Sequence, residues 1–191
     1  MSYKVIDISG WQEGIDFNAV KAAGIGGVII KIAEGTSKDS DFDTFLQGVK
    51  DAGLLWGVYL FAHAVDTETA QEEAQVVLDA LLGEVPPLGV WYDVEAPEVL
   101  QCGYATDCAS AFINVINAQN ITCGVYASES TLEYGVIDVG SLADYVPYWV
   151  AQYANSCSFA DTFPNNKLQA WQYSQSGAIG NVNVDMDEWY D

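Results

Sequence analysis

Short apolar, β-branched or aromatic runs alternate with stretches of helical period along all 191 residues. A chain written this way builds βα units around a mostly parallel sheet, because each strand returns to the sheet through a crossover that packs on it. The candidate strands are Lys4 to Ile8, Gly27 to Ala33, Trp56 to Ala62, Gly89 to Glu95, Ile121 to Ala127, Tyr148 to Gln152 and Leu168 to Tyr173, with a short eighth near Val184. Between them, Phe42, Phe45, Leu46 and Val49 follow i, i+3, i+4, i+7 spacing, as do Ala109, Phe112, Ile113 and Ile116, so each segment is a helix with one buried stripe. The longest helix, about Thr67 to Leu82, keeps Ala70, Ala74, Val77, Leu78 and Leu81 on one face, with Asp66 or Thr67 as N-cap and Gly83 as stop. The fold class this predicts is α/β, a modified (β/α)8 barrel of the TIM type, irregular in its last third because the helical pattern gives out after Ala127. One domain over residues 1–191 is expected, since half the residues are apolar and can supply a single core.

Within this frame the segment Gly89-Val90-Trp91-Tyr92-Asp93-Val94-Glu95 is out of place, an apolar strand ending in two carboxylates. Side chains alternate along a strand, so Trp91, Asp93 and Glu95 share one face. If that face lines the barrel, both acids reach its C-terminal mouth, where barrel enzymes hold their sites. Cleavage of a glycosidic bond needs such a pair, one carboxylic acid to protonate the leaving oxygen and a second carboxylate to support the attacking group. Alone, the pattern is equally that of solvated strand-end acids.

Asp7 and Asp185 also interrupt apolar segments, in Val5-Ile6-Asp7-Ile8 and Val184-Asp185-Met186. Each alone is as well read as a turn or loop residue, but acids on separated strands meet only in a barrel-like site. Clustering would raise the pKa of one member and keep it protonated, and Glu95 is the candidate. Sugar clefts also need flat apolar faces with hydrogen-bonding tips. Tyr59, Phe61, Tyr126, Trp149 and Tyr153 sit near strand ends, with Gln172 between Trp171 and Tyr173. Lys31, inside an apolar strand, either snorkels to water or turns inward to pair with Asp7 or Glu34. His63 is read as a rim or satisfied core histidine without a catalytic part.

The charge balance excludes other functions. With 27 acidic and 6 basic residues and a net charge of -21, the chain lacks the cationic footprint of a nucleic-acid binder. No run has the length of a membrane span, so no membrane insertion is expected. Four cysteines without CxxC spacing and one histidine point away from a zinc hydrolase. Cys102 and Cys108 could bridge in an oxidising compartment, whereas Cys123 suits a buried thiol. The start has no signal-peptide pattern, so extracytoplasmic action would need release by lysis, a holin or another non-classical route, or the chain is an excised domain.

Seven stretches in order resemble the glycoside hydrolase family 25 lysozymes: Asp7-Ile8-Ser9-Gly10-Trp11-Gln12, Ile29 to Ser37, Gly57 to Ala62, Asp93-Val94-Glu95, Tyr148 to Tyr153, Trp171 to Ser174 and Asn183 to Met186. The resemblance implies a modified (β/α) barrel that hydrolyses the β-1,4 bond between N-acetylmuramic acid and N-acetylglucosamine in the glycan strands of bacterial peptidoglycan, with no metal or cofactor required. Many relatives carry a separate wall-binding module, and a monomer with no such module is expected of this chain. The resemblance makes Glu95 the proton donor with Asp93 beside it, assisting the substrate acetamide or water, while Asp7 and Asp185 complete an acidic floor. The chain departs from the pattern at Leu60, Gln152 and Asp187, where histidine, asparagine and asparagine are frequent.

Overall fold

A computed structural model describes all residues, 1–191. Its strands are β1 (Ser2–Ile8), β2 (Gly27–Glu34), β3 (Ser37–Lys38), β4 (Leu55–Phe61), β5 (Val90–Asp93), β6 (Cys123–Ser128), β7 (Pro147–Ala151), β8 (Lys167–Ile179) and β9 (Val182–Tyr190). They form one sheet in the order β1-β9-β8-β7-β6-β5-β4-β2-β3, and pairing of β1 with β2 closes it into an eight-stranded barrel with β3 as a flap on β2. Seven barrel strands run parallel. The eighth, β9, runs antiparallel to both β8 and β1.

The intervening helices are α1 (Phe17–Ala22), α2 (Phe42–Asp51), α3 (Thr67–Leu81), α4 (Pro97–Gln101), α5 (Ala105–Asn117), α6 (Glu129–Glu133) and α7 (Phe159–Thr162). The buried stripes are those the spacing predicts, Phe42, Phe45 and Val49 on α2 and Ala109, Phe112, Ile113 and Ile116 on α5. Asp66 caps α3 by accepting the Thr69 N–H at 2.8 Å, and the helix stops where Leu82 turns left-handed (φ 52°) before Gly83. Helix does give out late in the chain: α6 and α7 have five and four residues, and β8 returns directly into β9 through a tight turn at Gly180. The last strand is nine residues long rather than short, because hairpin pairing with β8 extends it.

Strand parity sorts the apolar residues into two layers. Ile6, Val28, Ile30, Val58, Val90, Tyr92 and Val125 face outward and pack with the helices in the larger core. Val5, Ile29, Trp91, Tyr126, Trp149, Ala170 and Trp189 face into the barrel. There Trp91 meets Trp149 and Trp189 edge-on, with centroids 6.0 and 5.9 Å away. Gly124 makes room for this plug, since a Cβ there would lie 2.5 Å from the Trp91 ring and 2.4 Å from the Pro147 carbonyl oxygen. The four cysteines are free thiols, and Cys102 donates to the Val99 carbonyl. No helix is long and apolar enough to cross a membrane.

Candidate active site

Above the tryptophan plug the barrel is lined by polar groups. A cleft of about 510 Å³ opens at the C-terminal ends of the parallel strands, and it gathers Asp7, Asp93, Glu95 and Asp185 with Lys31, Tyr59, Phe61, Tyr126, Trp149 and Gln172. Tyr153 does not line the cleft but reaches it from the rim, donating its hydroxyl to Gln172 Oε1 at 2.9 Å. Ser9, Trp11, Gln12 and Glu34 line it as well.

The four acids arrive by different routes. Asp7 stands near the end of β1, and Asp185 is its register partner near the start of β9. Asp185 is therefore not at a strand's C-terminal end, as its sequence pattern suggests; antiparallel β9 brings it to the same mouth from the opposite direction. Asp93 closes β5 and is 2% exposed. Strand β5 stops at Asp93 rather than continuing to Glu95, which lies two residues further on, exposed to the cleft.

Their environments differ accordingly. Burial pushes the Asp93 carboxyl well above the ordinary range, aided by Glu95 and Asp7 and opposed by Lys31, and its Oδ1 has no hydrogen-bond partner. Glu95, though open to solvent at its tip, is flanked by enough protein that its pKa is also raised, first by desolvation and then by Asp185. Burial and the charges of Asp185 and Glu95 push Asp7 up to about 7, against the lowering effect of Gln172. Desolvation likewise raises Asp185.

Gln172 organises the floor. Its Nε2 donates to Asp7 Oδ2 at 2.9 Å and Asp185 Oδ2 at 3.2 Å, while its Oε1 accepts both Tyr126 and Tyr153 hydroxyls at 2.9 Å. Each end of the amide is matched by the chemistry it faces, so its orientation is determined. Trp149 packs against Tyr126 with centroids 4.3 Å apart and donates its indole N–H to Asp187 Oδ1 at 2.8 Å. Asp187, 0% exposed, is a fifth acid below the cleft floor. Its place among the alternating residues of β9 was the available signal, since Asp185, Asp187 and Trp189 share a face.

Lys31 is the cation of the cleft wall. It pairs with Glu34 rather than Asp7 and lies 5.5 Å from the Phe61 ring centroid. His63 is a rim residue, bonded to Glu98 and Glu34, whose carboxylates raise its pKa. Glu73 is buried on the outer layer, where it accepts the His63 N–H at 2.8 Å and the Tyr92 hydroxyl at 3.0 Å and ties α3 to β5.

Trp11 is the most exposed of the cleft residues that sequence reasoning leaves out of the site, the others being Ser9, Gln12 and Glu34. It is 92% exposed at the cleft edge. It sits in a single 3-10 turn, Gly10–Gln12, held by a capping box in which Gln12 Oε1 accepts the Ser9 N–H at 2.9 Å. Gln12 Nε2 also donates to the Asn183 carbonyl, pinning the turn to β9. The Ser-x-x-Gln spacing is legible as a helix start; its location beside the cleft is not.

An exposed acid and a buried, partly unsatisfied acid on one wall, with aromatic faces around them, form a constellation suited to protonating and displacing a glycosidic oxygen. The family model described as glycosyl hydrolases family 25 matches residues 6–182. The chain is 30% identical over 190 residues to an autolytic lysozyme of Clostridium acetobutylicum, covering 97% of this chain and 55% of that protein. It is 29% identical over 208 residues to lysozyme M1 of Streptomyces globisporus, covering 95% and 65%. It thus spans between half and two-thirds of the length of these curated relatives. Among solved structures, the catalytic domain of the endolysin ply40 from bacteriophage P40 of Listeria monocytogenes is similar at a TM-score of 0.81 and 26% identity, covering 100% of this chain and 94% of that one.

Proposed function

Since the chain belongs to the glycosyl hydrolases of family 25 and is a glycoside hydrolase, we propose that it is a lysozyme that hydrolyses the β-1,4 bond between N-acetylmuramic acid and N-acetylglucosamine in peptidoglycan. The names of its relatives, an autolytic lysozyme, lysozyme M1 and an N,O-diacetylmuramidase, support that substrate. The observation that carries the assignment of roles is the contrast between Glu95, open to the cleft, and Asp93, almost wholly buried with an unpartnered oxygen.

Glu95 is the proton donor. A raised pKa keeps its carboxyl protonated toward neutral pH, and substrate that displaces cleft water strengthens the same effect. As the bond to the leaving oxygen breaks, Glu95 gives that oxygen its proton. Asp93 serves the anomeric side: its carboxyl lines the cleft, and the oxygen that reaches the cleft accepts an N–H of the substrate acetamide or an O–H of the attacking water, while the buried Oδ1 is left without a partner. The anomer first released separates these two roles, because acetamide attack retains configuration and direct attack by water inverts it. Asp7 and Asp185, held by one amide, complete the floor. Tyr59, Phe61, Tyr126 and Trp149 offer faces for the sugars, Lys31 offers a cation, and Trp11 extends the stacking surface to the rim. The site of action on this reading is the bacterial cell wall.

Glu95→Gln tests it on purified walls. Lysis and the appearance of new reducing ends should fall by about 10²- to 10⁴-fold. Lysis at the parent rate would overturn the role of Glu95, and binding of walls by the parent without new reducing ends would overturn the enzyme's substrate.

A further inference from the structure

Asp187 is an acid with no route to water, at 0% exposure, and the groups around it explain what it must be. From β7, Trp149 donates its indole N–H to Oδ1 at 2.8 Å. From β1, Asp7 stands diagonally across the ladder on the same face, since it pairs with Asp185 while Asp187 pairs with Val5. This brings its carboxyl within hydrogen-bonding reach, and from β9 itself Asp185 adds a third carboxyl. From β8, Gln172 already spends both amide hydrogens on Asp7 and Asp185. Further out, Tyr59 of β4 and Glu95 after β5 face Asp7. No cation reaches Asp187, for Lys31 is engaged with Glu34.

Oδ2 of Asp187 has no partner so long as both neighbouring carboxyls only accept. A buried anion facing a second acid and no cation is among the costliest arrangements a protein can hold. A single proton removes both problems. We propose that Asp187 is a positioning residue: it stands in the barrel as a neutral carboxylic acid whose hydroxyl donates to Asp7 and whose other oxygen accepts the Trp149 indole N–H.

Two facts place the proton on Asp187 rather than Asp7. Asp187 has the Trp149 indole N–H alone as donor and is wholly buried, where Asp7 is only partly so. Asp7 has the help of the Gln172 amide, which it shares with Asp185, and it lines the open cleft. The arrangement gives Asp7 two donors, which direct its carboxyl, and it fixes the ring plane of Trp149 against Tyr126. A group that touches no substrate thus orients both an acid and an aromatic wall of the cleft. The inference rests on the proposed function only in counting Asp7 and Trp149 as parts of the working floor.

Difference infrared spectroscopy of the parent against Asp187→Asn, recorded above the Asp7 value of about 7, reads the proton directly and needs no turnover. A carboxylic-acid C=O band present in the parent and missing from the variant is the expected result. Loss of carboxylate bands alone would overturn the proposal, whatever the substrate proves to be. Kinetics on purified walls supply the second arm. Asn keeps one donor and one acceptor and should retain kcat near that of the parent, whereas Asp187→Leu, which keeps neither, should lower kcat by about ten- to a hundredfold with KM little changed. Should Asn lose as much as Leu, the neutral-donor role is wrong; should Leu fail to fold, the infrared comparison and the Asn kinetics still decide.

Discussion

On the proposed reading, the chemistry at Glu95 depends on a proton that the site keeps. Its folded pKa is raised, so the acid form persists above the usual glutamate range and is lost as pH rises through the raised value. The alkaline limb of kcat/KM for wall lysis should therefore lie above an ordinary glutamate's, and initial rates across a pH series check it. Gln172 makes a complementary case. Replacing it with leucine keeps the volume but leaves the carboxyls of Asp7 and Asp185 without their amide and the hydroxyls of Tyr126 and Tyr153 without an acceptor. A loss of about 1–3 kcal/mol in urea unfolding is expected, together with a fall in kcat. Unchanged stability would mean that water replaces the amide. The role of Gln172 was visible in the sequence only as a polar residue between aromatics, since each of its partners sits on another strand.

Strand β6 serves the site twice, through Tyr126 in the cleft wall and through a glycine beneath it. Gly124 faces inward where the Trp91 ring and the Pro147 carbonyl close around it. Both are stiff neighbours, so Gly124→Ala should cost about 1–3 kcal/mol by overpacking, read as a lowered urea midpoint. Strand β9 shows what sequence cannot say about an element. Alternation of Val184, Asp185, Met186 and Asp187 gives faces but not direction, because a period of two is the same in either sense. Only the hairpin with β8 makes β9 antiparallel and turns the start of the strand, with Asp185, toward the cleft. Glu95 is the reverse case: it continues the alternation of β5, yet the strand ends at Asp93 and leaves it on the loop that leads into α4.

Across the whole molecule, the buried carboxyls couple stability to pH. Asp7 ionises at about 7 in the fold and near its ordinary value when unfolded, and Asp93 and Asp187 are shifted the same way. Between those values the unfolded chain has released protons that the folded one retains, so stability falls as pH rises through the window and levels off above it. The net charge of -21 adds self-repulsion with the same sign. The melting temperature should thus be higher in mildly acidic than in mildly alkaline buffer, and a calorimetric series would show it; the opposite slope would contradict the raised values. The same charge opposes approach to walls that carry anionic polymers. Lysis should improve with moderate salt or divalent cations, and a steady decline in turbidity clearance from near-zero salt upward would refute this.

What the sequence determined by itself was periodicity and chemistry: eight strands with helices between them, the shared face of Trp91 and Asp93, the helix stripes, and four acids of a kind that glycoside cleavage uses. These are local properties, set by side chains a few residues apart. The tertiary structure decided direction, depth and company. It ran β9 backwards, set Glu95 in water and Asp93 out of it, turned Lys31 to Glu34 rather than Asp7, brought Trp11 to the rim, and buried Asp187 beneath Asp7. Each depends on closing the sheet into a barrel, which brings β1 against β9 and so joins residues from opposite ends of the chain.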